Sequence, residues 1–277
     1  MIRVMDLFSG IGGFSLGLKK AGGFTTVCYC EIDQACQQVL YGLMLDGALD
    51  TAPICTDVKR LDGAPWAGRV ELICGGFPCQ DISAAGLRAG IDGERSGLWR
   101  EIARLVRQVR PRYVLVENVA ALLGRGLERV LGDLAACGYD SEWDCLPASA
   151  FGAPHQRDRV FVVSHARSGW GPDNGLRPGG AVLGGRGSAA APNSERWGLQ
   201  GGVFGRRNAI PIEPPTYRRT SLGTLVGEAW QAEPGEGWLD DGLPPALAEA
   251  LSRCLGNSVV PQVVEWIGRR IVEVHES

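Results

Sequence analysis

The chain has 277 residues, 45% of them hydrophobic and 21% charged, with a net charge of −3. That length holds one large domain, or one and a half, around a sizeable core. It argues against a membrane protein, since no apolar run approaches the roughly 18–20 residues of a spanning helix. Asp6 and Gly10 break the only apolar start, so no signal peptide is expected and a cytoplasmic protein is. Nine cysteines without secretory context predict reduced thiols, not a disulfide scaffold. Cys28, Cys30 and Cys36 have no second Cys pair or nearby His, so no metal is expected.

In chain order, residues 3–8 read as a short buried strand running into Ser9-Gly10-Ile11-Gly12-Gly13, followed by a helix from Phe14 to Lys20. A second strand, Thr25 to Ile32, brings up Glu31 and Asp33. This β–Gly-rich turn–α–β unit, with an acid on the next strand, fits a nucleoside cofactor, because a carboxylate can accept bonds from ribose hydroxyls. The spacing Gly10-x-Gly12-Gly13 is not the pyrophosphate fingerprint and argues against a nicotinamide cofactor. A helix to about Leu45 and a strand ending at Thr56-Asp57-Val58 come next.

Val70 to Cys74 is the fourth strand, and it leads into Gly75-Gly76-Phe77-Pro78-Cys79-Gln80. Proline fixes the turn while the glycines loosen it, so one thiol is held at the mouth of a sheet. Cys79 is there either a nucleophile or a small buried residue. A helix over 97–109 carries Leu98, Ile102, Leu105, Val106 and Val109 on one face. Tyr113-Val114-Leu115-Val116 is a fifth strand ending abruptly in Glu117-Asn118-Val119, where an acid at the end of a buried strand is either a site or a mistake in burial. A helix over 126–136, capped near Gly138, precedes strands at about 141–147 and 159–165. A closing helix shows Val263, Val264, Ile267 and Ile271 on one face.

The texture changes between 168 and 207, where 12 glycines leave no periodicity of either kind. Ten arginines against four acids over 151–220 give this part a local positive excess. The segment reads equally as a flexible linker or as a loop-built nucleic-acid surface of Trp and Arg side chains. If the sheet is mainly parallel, the strand ends at 6–10, 31–33, 57, 75–79 and 117 share one rim, where doubly wound sheets bind ligands.

At this point Asp6-Leu-Phe-Ser-Gly-x-Gly-Gly-Phe14, Gly76-Phe-Pro-Cys-Gln80, Glu117-Asn-Val119, Arg157-x-Arg159 and Gly256-Asn-Ser-Val-Val-Pro261 resemble the motif series of the DNA (cytosine-5) methyltransferases, in the family's order. The resemblance implies an α/β, Rossmann-like S-adenosylmethionine-dependent methyltransferase fold with a doubly wound, mainly parallel sheet. It divides the chain into a catalytic and cofactor-binding domain (1–167), a small irregular target-recognition region (168–240) and a segment returning to the catalytic domain (241–277). It implies methylation of carbon 5 of cytosine in a short DNA sequence, by a monomer of prokaryotic or phage origin acting on duplex DNA. A cognate restriction endonuclease would act separately.

By the same resemblance Cys79 adds to carbon 6 of a flipped-out cytosine, and Glu117 engages ring nitrogen 3 and the exocyclic amine. Arg159 holds the cytosine carbonyl and Arg157 supports the site. S-adenosylmethionine would be held by Phe8, Gly10 and Gly12 in the first turn, Glu31 at the ribose, Ile32 on the adenine face, and Asp57 with Val58 at the adenine edge. Pro78 and Leu98 would close around it, and Asn257 with Ser258 would approach its methionine end. Asp6 either faces the methionine amine or anchors the turn. Gln80 and Ser83, in a mobile segment over 80–97, and Arg206 and Arg207 are the expected DNA contacts. Two departures stand out: His155 replaces the family's Gln, and Arg218 to Glu228 is only a faint version of the arginine-rich helix that closes the recognition domain. A tRNA cytosine-5 methyltransferase and a catalytically silent DNA-binding relative are the alternatives.

Overall fold

The computed structural model describes residues 1–78, 96–153, 156–167 and 254–276. Seven strands form one sheet in the order β3-β2-β1-β4-β5-β7-β6. They are β1 (Ile2–Leu7), β2 (Phe24–Cys30), β3 (Ile54–Cys55), β4 (Leu72–Gly76), β5 (Tyr113–Val119), β6 (Tyr139–Pro147) and β7 (Asp158–Ala166). Neighbours from β3 through to β5 pair in parallel, whereas β7 runs antiparallel to both β5 and β6. The central strands β1, β4 and β5 are buried almost throughout, as strands covered on both faces must be. Two apolar clusters lie on the two faces of this sheet. One gathers α1 (Gly13–Ala21), α2 (Gln34–Leu45) and the C-terminal α5 (Pro261–Glu276); the other gathers α3 (Trp99–Val109) and α4 (Leu127–Ala136).

Close approach of α5 to α1 depends on two glycines. A Cβ on Gly17 would collide with the Pro261 carbonyl and lie 2.6 Å from Val264 Cβ; one on Gly13 would lie 2.6 Å from the Val259 carbonyl oxygen. The apolar stripe expected on the last helix is the one used: Val263, Val264, Ile267 and Ile271 are all buried. The strand order reverses at β1, which is flanked by β2 on one side and β4 on the other, so the crevice beyond its carboxyl end is a topological switch point.

Three sequence expectations are corrected. The third strand is only Ile54–Cys55, and Asp57 lies beyond it, capping a 3₁₀ turn at Val58–Arg60 through Lys59 N at 2.9 Å. The fifth strand does not stop before Glu117; it continues to Val119, because β7 supplies partners for Glu117, Asn118 and Val119. Finally, Cys36 and Cys254 form a disulfide, where reduced thiols were expected. Composition reports the redox setting of the chain but is blind to two cysteines that tertiary packing brings together. Cys28 and Cys30 pack in one core cluster and Cys36 in the other, so these three do not form a ligand set.

Candidate active site at the carboxyl end of the sheet

The rim is built first from the turn after β1. Phe8, Gly10 and Gly12 all take left-handed backbone conformations, with φ of 54°, 54° and 85°. For Gly12 there is a steric reason as well, since a Cβ would lie 2.7 Å from Leu49 Cδ1. Ser9 locks the turn: its Oγ donates to the Asp6 carbonyl at 2.7 Å and accepts from Cys30 N at 3.1 Å. Glu31 completes it, accepting from Gly10 N and Asp33 N, each at 2.7 Å. Burial is the main cause that raises the Glu31 carboxyl above its ordinary value, and these two N–H bonds oppose it. Each oxygen keeps a lone pair for a further donor.

Asp6 lies beneath this turn, fully buried, and accepts from Ser15 Oγ at 2.6 Å. Desolvation pushes its carboxyl up to about 7. Its carboxylate thus holds the start of α1, and it is not among the residues that line the cavity.

On the other side of the switch point, Gly76 ends β4 against β5. A Cβ there would lie 2.7 Å from Glu117 Oε2, so glycine is what lets that carboxylate lie along the strand. Glu117 is 9% exposed and pairs with Arg159, Nε to Oε1 at 2.9 Å. Burial raises its carboxyl above the ordinary value, while Arg159 and then Arg157 pull it back. Asn118 donates from Nδ2 to the Phe77 carbonyl at 2.9 Å, holding the backbone immediately before Pro78 and Cys79. Arg157 donates to the Ser258 carbonyl at 2.8 Å and so ties the β7 entry to the C-terminal segment.

These pieces enclose a cavity of about 250 Å³. Among the expected residues Phe8, Gly10, Glu31, Pro78, Glu117, Arg159, Asn257 and Ser258 line it. Gly12, Ile32, Asp57, Val58, Leu98 and Arg157 are outside the lining. Ile32 is 76% exposed beside Glu31, and Val58 is fixed by Arg104, whose guanidinium donates to the Val58 carbonyl at 2.9 Å. Cys79, Gln80, Ser83, His155, Arg206 and Arg207 lie outside the described residues, as does the 168–240 region. Gly76, Asn118, Asp33 and the Cys36–Cys254 pair were not assigned roles from sequence, and all five residues line the cavity. A signal existed for two of them: a glycine doublet after a buried strand marks close approach, and Asp33 before a helix marks a cap, here accepting from Ala35 N at 2.8 Å. Asp33, Cys36 and Cys254 hold their ligand-type atoms within 4.8 Å of one another, but the two sulfurs are spent on each other.

Comparison with known proteins gives this geometry a context. The C-5 cytosine-specific DNA methylase family model matches residues 2–171. A type II methyltransferase of Bacillus subtilis, M2.BsuMI, is 34% identical over 171 residues, which are 59% of this chain and 42% of the relative. M.Eco47II of Escherichia coli is 35% identical over 167 residues, covering 58% of this chain and 39% of the relative. The matched part thus spans less than half the length of these relatives. A crystal structure of the Dnmt2 methyltransferase of S. pombe superposes with a TM-score of 0.57 at 17% identity, covering 99% of each chain, a likeness of fold.

Proposed function

Because the chain belongs to the C-5 cytosine-specific DNA methylase family, we propose that it methylates carbon 5 of a cytosine in a short, specific DNA sequence. The observation that carries the proposal is the pairing of buried Glu117 with half-buried Arg159, which faces the same cavity as the Phe8–Gly10–Glu31 turn. A cofactor half and a base half thus open into one space, with Pro78, the residue before Cys79, on its wall.

The donor set on the cofactor half fits S-adenosylmethionine. The Glu31 carboxylate is fixed by two backbone N–H groups and has acceptor capacity left for ribose hydroxyls. Phe8 offers an apolar face for a purine on the cavity wall, and Asn257 and Ser258 add polar groups to the same lining. When bound, S-adenosylmethionine supplies an electrophilic methyl group.

The chain's own residues prepare the acceptor. Cytosine is a poor carbon nucleophile, so the Cys79 thiolate adds to carbon 6 and makes carbon 5 enamine-like. Glu117, whose carboxyl is raised above its ordinary value by burial, hydrogen-bonds ring nitrogen 3 and supplies the proton that neutralises the adduct. Arg159 holds both Glu117 and the cytosine carbonyl. After methylation, loss of the carbon-5 proton restores the double bond and expels Cys79 as thiolate. The target base has to leave the duplex to reach this rim, and we assign its recognition to residues 168–240.

The test is methyl transfer from labelled S-adenosylmethionine to duplex DNA and, in parallel, to tRNA. Label in cytosine of DNA, a covalent complex with 5-fluorocytosine DNA and its loss in Cys79→Ser are the expected results. Transfer to tRNA alone would overturn the substrate, and a Cys79→Ser protein that still methylates would overturn the nucleophile.

A further inference from the structure

The Cys36–Cys254 pair lies in the lining of the cavity. Cys36 lies in the first turn of α2, just after Glu31 and Asp33, and Cys254 lies just before the Gly256-Asn257-Ser258 wall. The two residues are 218 apart in sequence, with Cα atoms 6.3 Å apart. Both are only 5% exposed, and both line the cavity. One covalent bond therefore joins two walls contributed by opposite ends of the chain.

Val259 and Ser258 pack closely on Gly13, so the part of this wall left without packing is the pair before them. Gly256 and Asn257 are exposed, and Ser258 is secured by the bond its carbonyl accepts from Arg157 and by its own N–H to the Leu255 carbonyl at 3.2 Å. Among the described residues, Cys28, Cys30 and Cys74 are poor competitors for this chemistry. Burial pushes the Cys28 thiol up to about 12 and raises Cys30 and Cys74 as well, which leaves them as inert thiols in the core.

We propose that Cys36 and Cys254 form a redox-responsive clasp that sets the affinity of the cavity for its cofactor. The inference rests on reading this cavity as the cofactor site. In the oxidised form the Asn257–Ser258 wall is fixed against the Glu31–Asp33 wall, so the binding geometry exists before the ligand arrives. In the reduced form the wall must be ordered at the expense of binding. The chemistry is exchange with a small-molecule disulfide such as oxidised glutathione. One protein thiolate attacks it and releases one glutathione thiolate; the second protein thiolate displaces the other, and two electrons pass from the dithiol to the glutathione disulfide. Since both sulfurs are buried and meet the cavity, a bound ligand blocks the route of attack. By linkage, ligand and disulfide stabilise each other.

The full chain equilibrated in oxidised or reduced glutathione tests this, with S-adenosylhomocysteine as the probe ligand. Calorimetry is expected to show binding tighter by about fivefold or more in the oxidised form. Cys36→Ser and Cys254→Ser should bind as the reduced protein does in both buffers, while Cys55→Ser should keep the redox response. A wild-type readout avoids reliance on the variants: S-adenosylhomocysteine should slow reduction and alkylation of Cys36 and Cys254, seen by peptide mass, without protecting Cys55. Equal affinity in both buffers, or alkylation of Cys36 and Cys254 in fully oxidising buffer, overturns the clasp. Absence of binding in both states, with the bond present by mass, overturns the cofactor reading and the coupling together while leaving the bond itself established.

Discussion

The two halves of the cavity are built on different principles. The cofactor half is a backbone structure: left-handed conformations at Phe8 and Gly10, and N–H groups of Gly10 and Asp33 fixed on one carboxylate. This turn comes from a single β–α–β unit. The base half is a side-chain structure assembled across strands: Glu117 on β5 against Arg159 on β7, and Asn118 reaching 41 residues back to Phe77. A backbone cradle is set by local conformation and tolerates much around it. An ion pair in a buried setting depends on every neighbour that keeps water out and geometry fixed.

If that contrast is sound, damage to one half should spare the other. Glu117→Gln has the largest expected effect. Removing the acid should slow methyl transfer about 10²–10⁴-fold, while calorimetric affinity for S-adenosylhomocysteine stays within about twofold, since no contact in the cofactor turn involves Glu117. A parallel fall in affinity would show that the halves are not separable.

Asp6→Asn probes the cofactor half through pH. An acid raised to about 7 by burial takes up its proton on folding, so its contribution is fully present below about 4 and is lost as pH climbs through about 7. The amide keeps an acceptor for Ser15 and has no charge to bury. Denaturant midpoints should be similar for the two proteins near pH 4, and the variant should gain by up to about 4 kcal/mol at pH 8. A constant difference across that range would show that Asp6 stays ionised.

Gly76→Ala acts at the seam. Its Cβ would press on Glu117 Oε2, so a loss of roughly 1–3 kcal/mol in stability is expected, together with slower methyl transfer and retained cofactor affinity. The smallest effect belongs to Arg157→Ala. It removes the bond to the Ser258 carbonyl, a tie worth about 0.5–1.5 kcal/mol, and should weaken cofactor binding several-fold with little change in the methyl-transfer step at saturation. The opposite split, slower transfer with intact affinity, would move Arg157 to the base half.

The sequence by itself determined the elements and the cofactor turn. Buried strands, amphipathic helices and a Gly-rich turn followed by an acid are local patterns, and β1, α1, β2 and α2 lie within two residues of where periodicity and punctuation put them. It also named Glu117 and Arg159 as candidates, because an acid at the end of an apolar run and a motif arginine are visible one residue at a time. Only the tertiary structure decided that β5 runs on through Glu117 to Val119, that β7 turns antiparallel to meet it, and that Arg159 therefore closes on that carboxylate. Only it showed Asp6 beneath the turn and Cys36 joined to Cys254. The reason is distance along the chain: pairings across tens or hundreds of residues are set by sheet order and helix packing, which no local pattern encodes.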